Sequence, residues 1–347
     1  MGATMQLLFL CTLVSMVSPW SWFHKKARRN RPLQVYKGVQ YPWVHHGPHV
    51  VARNLADGPQ CPNEEIYASA DYFNRLVDIG VKNYWLGGHR VRGSRIEPRL
   101  RSSEPWDKSS FMALKERVEA AGGKILADLG EYPPEIFDKA AFLKSVAEFT
   151  KEYPVDGFRV ELLYFSDDVA KSSIDLLQTV KELGKVSAIW FRSDMWHDVK
   201  RSGLGGTADI NFVTIHPTGD DDIALFNTEQ FAEEIIKNAT LAGVDSNSLV
   251  LTVPLVALPV DGCPAYGYSQ AILDFQSDPR GKGFFKSFDG IDYHFYSPAR
   301  ATNTARLAKK HGLHGIAVDS DSPFSKVADL DPLNPASLSH TLVQNVK

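Results

Sequence analysis

The sequence Tyr153–Phe165, YPVDGFRVELLYF, lays out a turn, a strand and the approach to a helix. Asp156-Gly157 is a turn signal, Phe158–Leu163 reads as a strand, and a helical stretch follows from Asp168 onward. Alternate residues of a strand share a face, so Arg159, Glu161 and Leu163 lie on one side and Phe158, Val160 and Leu162 on the other. An edge strand would leave the two charges solvated. A strand covered on both sides would carry them into a protected interior, where each needs a partner.

Working outward, the pattern repeats. Leu33–Tyr41 (LQVYKGVQY) is a candidate first strand, followed by a loop carrying His45, His46 and His49 with no carboxylate or cysteine to complete a metal set. Ser69–Ile79 reads as a helix, Val81–Leu86 as a strand and His89–Arg101 as a basic loop with five arginines against Glu97. Trp106–Ala121 is a helix closed by Gly122-Gly123. Lys124–Leu129 is the third strand, with Asp128 near its C-terminal end, and a helix runs from about Glu135 to Lys151. After the opening strand, the fourth, come a helix at Ser173–Leu183, strands at Val186–Phe191 and Asp209–Ile215, and a helix at Thr228–Leu241. A strand at Leu249–Leu255, a helix at Ala299–His311 and an eighth strand beginning at Gly315–Val318 complete the series.

Strands alternating with helices about eight times over some 300 residues predict an α/β protein, a (β/α)8 barrel rather than an open doubly wound sheet. No G-x-G-x-x-G follows the first strand, which removes the main signature of a dinucleotide-binding fold. In such a barrel the chemistry sits at the C-terminal ends of the strands. Those ends hold Asp128, Glu131, Leu163, Arg192, His216, Asp319 and Asp321.

Composition bounds the rest. The chain has 347 residues, 44% hydrophobic and 23% charged, with a net charge of −3, so nothing points to nucleic acid as a partner. Met5–Val17 has the length of a signal-peptide h-region and is too short to span a bilayer. Residues 1–22 are therefore expected to be a signal peptide and 23–34 a basic tail, with a barrel over 35–330 and a C-terminal tail over 331–347. The signal peptide leads to the expectation that the mature chain is in the secretory pathway, secreted or in the lumen of a secretory organelle, and no transmembrane or lipid anchor is expected. Cys61 and Cys263 then remain, either as a disulfide or as separate thiols. Asn238-Ala239-Thr240 is a glycan acceptor sequence. No metal-ligand spacing is present and no cofactor is expected.

The ordered motifs resemble glycoside hydrolase family 18, the chitinases and chitinase-like proteins. DGFRVELL at 156–163 is similar to that family's D-G-x-D-x-D-x-E signature, KILADLGE to its third-strand region, and DINFVTIHP to its sixth. SLVLTVPLVALP and the run YHFYSPARATNTARLAKKHGLHGIAVDSDSP are similar to its seventh strand and to its last helix and strand. The likeness spans about Lys37 to Phe324. D-G-F-x-V-E further resembles the stabilin-interacting, chitinase-domain-containing branch, whose members are regarded as lectin-like. The short segment between the seventh and eighth strands implies little or no insertion domain.

What the resemblance implies at the site is loss. The family's proton-donating glutamate falls at Leu163, and its two preceding aspartates at Glu161 and Arg159. The sixth-strand Tyr-Asp pair falls at Ile215 and His216, and the tryptophan that floors the sugar site at Asp319. Leucine cannot donate a proton, and Glu161 sits roughly 6–7 Å deeper along the strand. The expected function is that of a secreted, catalytically inactive chitinase-like protein. It would bind an N-acetylglucosamine-containing glycan or a protein partner, or serve as a subunit of a secreted complex. The expected surface comprises Asp128, Glu131, Arg159, Glu161, Trp190, Arg192, His216, Asp319 and Asp321, with Arg159 bridging Asp128 and Glu161 and with Trp85 and Trp190 either core or sugar-stacking. The alternative is a hydrolase with relocated carboxylates in which Glu161 is the acid.

Overall fold

The computed structural model describes residues 32–40, 42–43, 70–99, 106–130, 136–217, 222–261, 265–321 and 328–346. Eight parallel strands close into a barrel: β1 (Gln34–Val39), β2 (Asn83–Arg92), β4 (Lys124–Leu129), β5 (Gly157–Leu162), β6 (Val186–Arg192), β7 (Ile210–Thr214), β8 (Leu249–Val253) and β13 (Gly315–Asp321). Each pairs in parallel with its neighbours, and β1–β2 pairing seals the ring. Outside run α1 (Ala70–Ile79), α2 (Lys108–Ala120), α3 (Lys139–Glu152), α4 (Asp167–Glu182), α5 (Trp196–Ser202), α6 (Glu229–Leu241), α8 (Pro298–His311) and α9 (Leu338–Val346). This is the (β/α)8 architecture that the alternation predicts.

Side-chain alternation divides the apolar residues into two cores. The larger lies between strands and helices. The smaller fills the barrel and comprises Tyr36, Trp85, Leu126, Ala188, Ile210, Phe212, Val250 and Ala317. Strand β5 adds no apolar side chain to it, because its inward positions are Gly157, Arg159 and Glu161. Gly38 makes room for the inner core: a Cβ there would stand 2.3 Å from the indole of Trp85. Asp156, ahead of β5, stitches the strand to its neighbours. Its two carboxylate oxygens accept from Ile125 N and Lys115 Nζ, each at 2.7 Å.

Three parts of the chain differ from the sequence reading. His89–Arg101 is not simply a loop, because β2 continues to Arg92 and turns back as β3 (Arg95–Pro98). The inward residues His89 and Val91 bury against α3 while arginines occupy the other face, so period-two alternation was hidden by the charge. Residues 331–347 are not only a tail. They contain α9, which buries Leu338, Leu342 and Val343, and the buried Asp329 carboxylate accepts from Leu338 N and Ser339 N at its start, each at 2.8 Å. Between β8 and β13 stands a small antiparallel sheet. Its strands are β9 (Val256–Pro259), β10 (Tyr266–Gly267), β11 (Phe284–Lys286) and β12 (Asp292–Phe295), with α7 (Tyr268–Leu273). The insertion is short, as read, but it has a sheet of its own. Cys61 and Cys263 lie outside the described residues, as do all of the expected signal peptide and most of the basic tail.

His89 sits among Trp106, Phe149 and Tyr153, with ring centroids 4.8, 4.9 and 6.4 Å away. Burial lowers its pKa from the ordinary 6.5 to about 4. The unfolded chain therefore binds a proton that the folded chain refuses, and the associated stability is full above pH 6.5 and lost as pH falls toward 4. Urea unfolding between pH 7 and pH 4 should show this loss, roughly 3 kcal/mol, and His89→Phe should flatten the slope. Gly38→Ala should destabilise the fold by about 1–3 kcal/mol, read in the same denaturation at pH 7.

Candidate functional site in the barrel mouth

The register of β4, β5 and β6 fixes the centre of the site. Arg159 lies directly opposite Asp128 on β4 and Ala188 on β6. The small alanine leaves the guanidinium room to lie across the barrel. Its Nη1 stands 2.6 Å from Asp128 Oδ1 and 3.3 Å from Glu161 Oε1. Three rings surround the cation, with the guanidinium carbon 4.9 Å from the Trp85 centroid, 5.5 Å from Phe212 and 5.9 Å from Trp190. Asp128 and Arg159 are essentially sealed from solvent, and Glu161 retains 14% side-chain exposure toward the mouth.

The bridge expected between Arg159 and the two carboxylates is present. Nη1 serves both carboxylates, the closer contact being to Asp128 and the longer to Glu161, while Arg159 Nε has no hydrogen-bond partner among the described residues. Burial pushes the Asp128 carboxyl up, with Arg159 pulling against it and Glu161 adding to it. Burial works against the Arg159 charge as well. Asp128 and Glu161 outweigh it and hold the guanidinium above its usual value.

Two further cations enter that sequence reading missed. Arg99 comes off the end of β3 to the mouth: a Cβ on Gly130 would lie 3.0 Å from Glu161 Oε2 and 3.2 Å from Arg99 Nη1. Lys37, fully buried, donates to the Asp319 backbone carbonyl at 2.6 Å. Asp319 is half-buried at the end of β13, its carboxylate accepting from Ser320 N at 2.8 Å, and burial raises its pKa. Lys37 sits in the apolar run VYKGV, where a buried lysine was the available signal. Nothing in the sequence distinguishes Arg99 from its neighbouring arginines.

The remaining expected residues divide. Trp190 is partly buried and donates from Nε1 to Thr214 Oγ1 at 2.7 Å, so it combines core packing with a face on Arg159. Trp85 is core. Arg192 is half-exposed and doubly bonded to Asp194 at 3.0 and 2.6 Å. His216 is exposed, its Nδ1 2.7 Å from Pro217 O. Leu163 is partly buried just past β5. Asp321 ends β13, beside Val39, with its side chain outside the described set. Glu131 lies outside the described residues. Asn238 is partly exposed in the last turns of α6. No cluster of histidine, cysteine, aspartate and glutamate among the described residues could hold a metal ion, and no described helix is long and apolar enough to cross a membrane.

No protein-family model matches the chain, and no curated protein is similar to it in sequence. Solved structures are similar in fold. A family 18 chitinase of Flavobacterium johnsoniae is 11% identical with a TM-score of 0.59, over 91% of this chain and 94% of its own. A chitinase of Chromobacterium violaceum is 11% identical with a TM-score of 0.59, over 90% and 98%. The second catalytic domain of a group II chitinase of Ostrinia furnacalis is 13% identical with a TM-score of 0.58, over 90% and 96%. A glutamate-to-leucine variant of that domain was solved in complex with penta-N-acetylchitooctaose. At these identities the likeness is one of fold.

Removing the cation from the centre should leave the buried Asp128 carboxylate unpaired and Glu161 with Arg99 as its neighbouring cation. Arg159→Met is expected to cost about 3–5 kcal/mol in denaturant unfolding. Adding Asp128→Leu to that variant should recover part of the loss, because a buried ion pair replaced by apolar groups is often neutral or stabilising.

Proposed function

We propose that the protein is a secreted, chitinase-like glycan-binding protein that does not hydrolyse its ligand. The observation that carries this reading is Leu163. It stands just past the end of β5, where the resemblance to family 18 requires the proton donor, and its side chain has no ionisable atom. The neighbouring changes are consistent with it. Arg159 is engaged with Asp128 and Glu161, and positions that would orient a substrate acetamide in the family serve here in an ion cluster.

Glycan binding is favoured by the fold and by what remains at the mouth. The Ostrinia furnacalis domain holds a chitooligosaccharide as a glutamate-to-leucine variant, so leucine replacing a glutamate is compatible with an occupied site on that related fold. Trp190 offers a partly exposed aromatic surface, Glu161 a partly exposed acceptor and Asp319 a second carboxylate. Such groups recognise sugar hydroxyls and amides without doing chemistry on them.

The reading is tested by incubating the purified mature protein with labelled chitooligosaccharides and measuring binding and cleavage in the same samples. The expected outcome is saturable binding, weakened by Trp190→Ala, with no reducing ends released. Cleavage that disappears in Glu161→Gln would overturn it and make Glu161 a relocated acid. Absence of both binding and cleavage would remove neutral chitin fragments as the ligand.

A further inference from the structure

The β2–β3 hairpin projects from the C-terminal end of a barrel strand and presents two unlike faces. Its register pairs Arg90 with Glu97 and Arg92 with Arg95, and directly opposed residues share a face. One side therefore carries three guanidiniums and one carboxylate. Glu97 is taken by Arg90, at 2.8 Å, and lies 3.9 Å from Arg92. Arg92 is 70% exposed. Arg95 is also exposed and makes no ion pair among the described residues. Two like charges directly across a strand pair destabilise it, and packing does not require them, since the opposite face docks the hairpin on the barrel.

That docking is rigid. Ser94, at the turn, is buried and holds a positive φ of 58°, a strained conformation for a residue other than glycine. It is pinned there by accepting from Asp138 N at 2.8 Å, while Ile96 N donates to Ser145 Oγ at 2.9 Å. The Asp138 carboxylate is turned to its own helix, accepting from Ala140 N and Ala141 N. Arg92 and Arg95 are thus displayed side by side from a fixed turn. The planar fork of each matches a sulfate or carboxylate in two-point geometry.

We propose that this face binds a polyanionic glycan, a chain carrying sulfate or uronate groups. The inference rests on the reading of the barrel as a glycan-binding protein and extends it to the charge of the ligand. A glycan is favoured over an acidic polypeptide because β3 leads back to Arg99 at the barrel mouth beside Glu161. A single saccharide chain can follow the hairpin face into the mouth, where the related fold holds sugar.

The test compares a heparin-derived octasaccharide, uncharged chitohexaose and a poly-glutamate of matched charge by calorimetry, using the wild-type protein and Arg92→Glu/Arg95→Glu. Both positions are exposed, and the reversal exchanges one directly opposed like-charge pair for another, so the melting temperature should stay near the wild-type value. The octasaccharide should bind in a salt-sensitive manner, lose about tenfold or more in the double variant, and outcompete poly-glutamate. Chitohexaose binding should not change. Octasaccharide binding that survives the substitutions overturns the assignment of the site. Poly-glutamate binding equally well overturns the glycan in favour of an acidic protein. Chitohexaose binding without octasaccharide binding overturns this inference and leaves the proposed function standing, and binding of neither overturns both.

Discussion

A positive charge sealed inside a barrel constrains everything around it. Arg159 has left water almost completely, and a lone guanidinium there would cost far more than the fold's net stability. Its position opposite Asp128 meets the first requirement, an opposite charge at contact distance. Glu161, on the same face two residues on, meets the second. The three rings of Trp85, Phe212 and Trp190 supply the rest, since each π face attracts a cation and excludes the water that would screen the pair. Their placement propagates outward. Trp85 reaches the guanidinium because Gly38 has no side chain, and the guanidinium crosses the barrel because β6 offers Ala188 at that level.

The charge balance of the mouth follows from the same constraint. Asp128, Glu161 and Asp319 would be a repulsive trio on their own. Arg159 and Arg99 lie among them, Lys37 adds a positive charge near Asp319, and each cation arrives from a different strand or strand end. Such a cluster is held by its own attractions and resists rearrangement when a ligand arrives. Fixed donors and acceptors of this kind are what the proposed recognition of a glycan asks for.

How much of this could be read from the amino acids depended on whether the signal was periodic. The barrel was legible because eight apolar runs alternate with helical ones. Arg159 between Asp128 and Glu161 was legible because strand alternation puts Arg159 and Glu161 on one face and the barrel's closure requires partners. The β2–β3 hairpin was hidden because its solvent face is arginine and its buried face includes His89, so alternation looked like a charge run. Helix α9 was hidden because its short amphipathic stretch, LSHTLVQNV, is stabilised by a distant buried carboxylate, Asp329, ahead of it. Arg99 and Lys37 were missed for a related reason. Their partners come from other strands, and no spacing along the chain records that proximity.

The hairpin and the barrel centre distribute arginine under opposite physical rules. Inside, Arg159 is tolerated only because carboxylates and aromatic faces meet it, and its binding capacity is spent on the fold. On the hairpin, Arg92 and Arg95 stand in solvent, where a guanidinium costs little and a neighbouring like charge costs some stability. A buried ion cluster contributes shape and a floor whose charges are largely met internally. An exposed pair of like charges contributes long-range attraction and a faster encounter with an anion. The two roles lie on different elements, Arg159 on β5 and the exposed pair on the β2–β3 hairpin, so the proposed capture of a charged chain at the rim leaves the ion cluster of the interior in place.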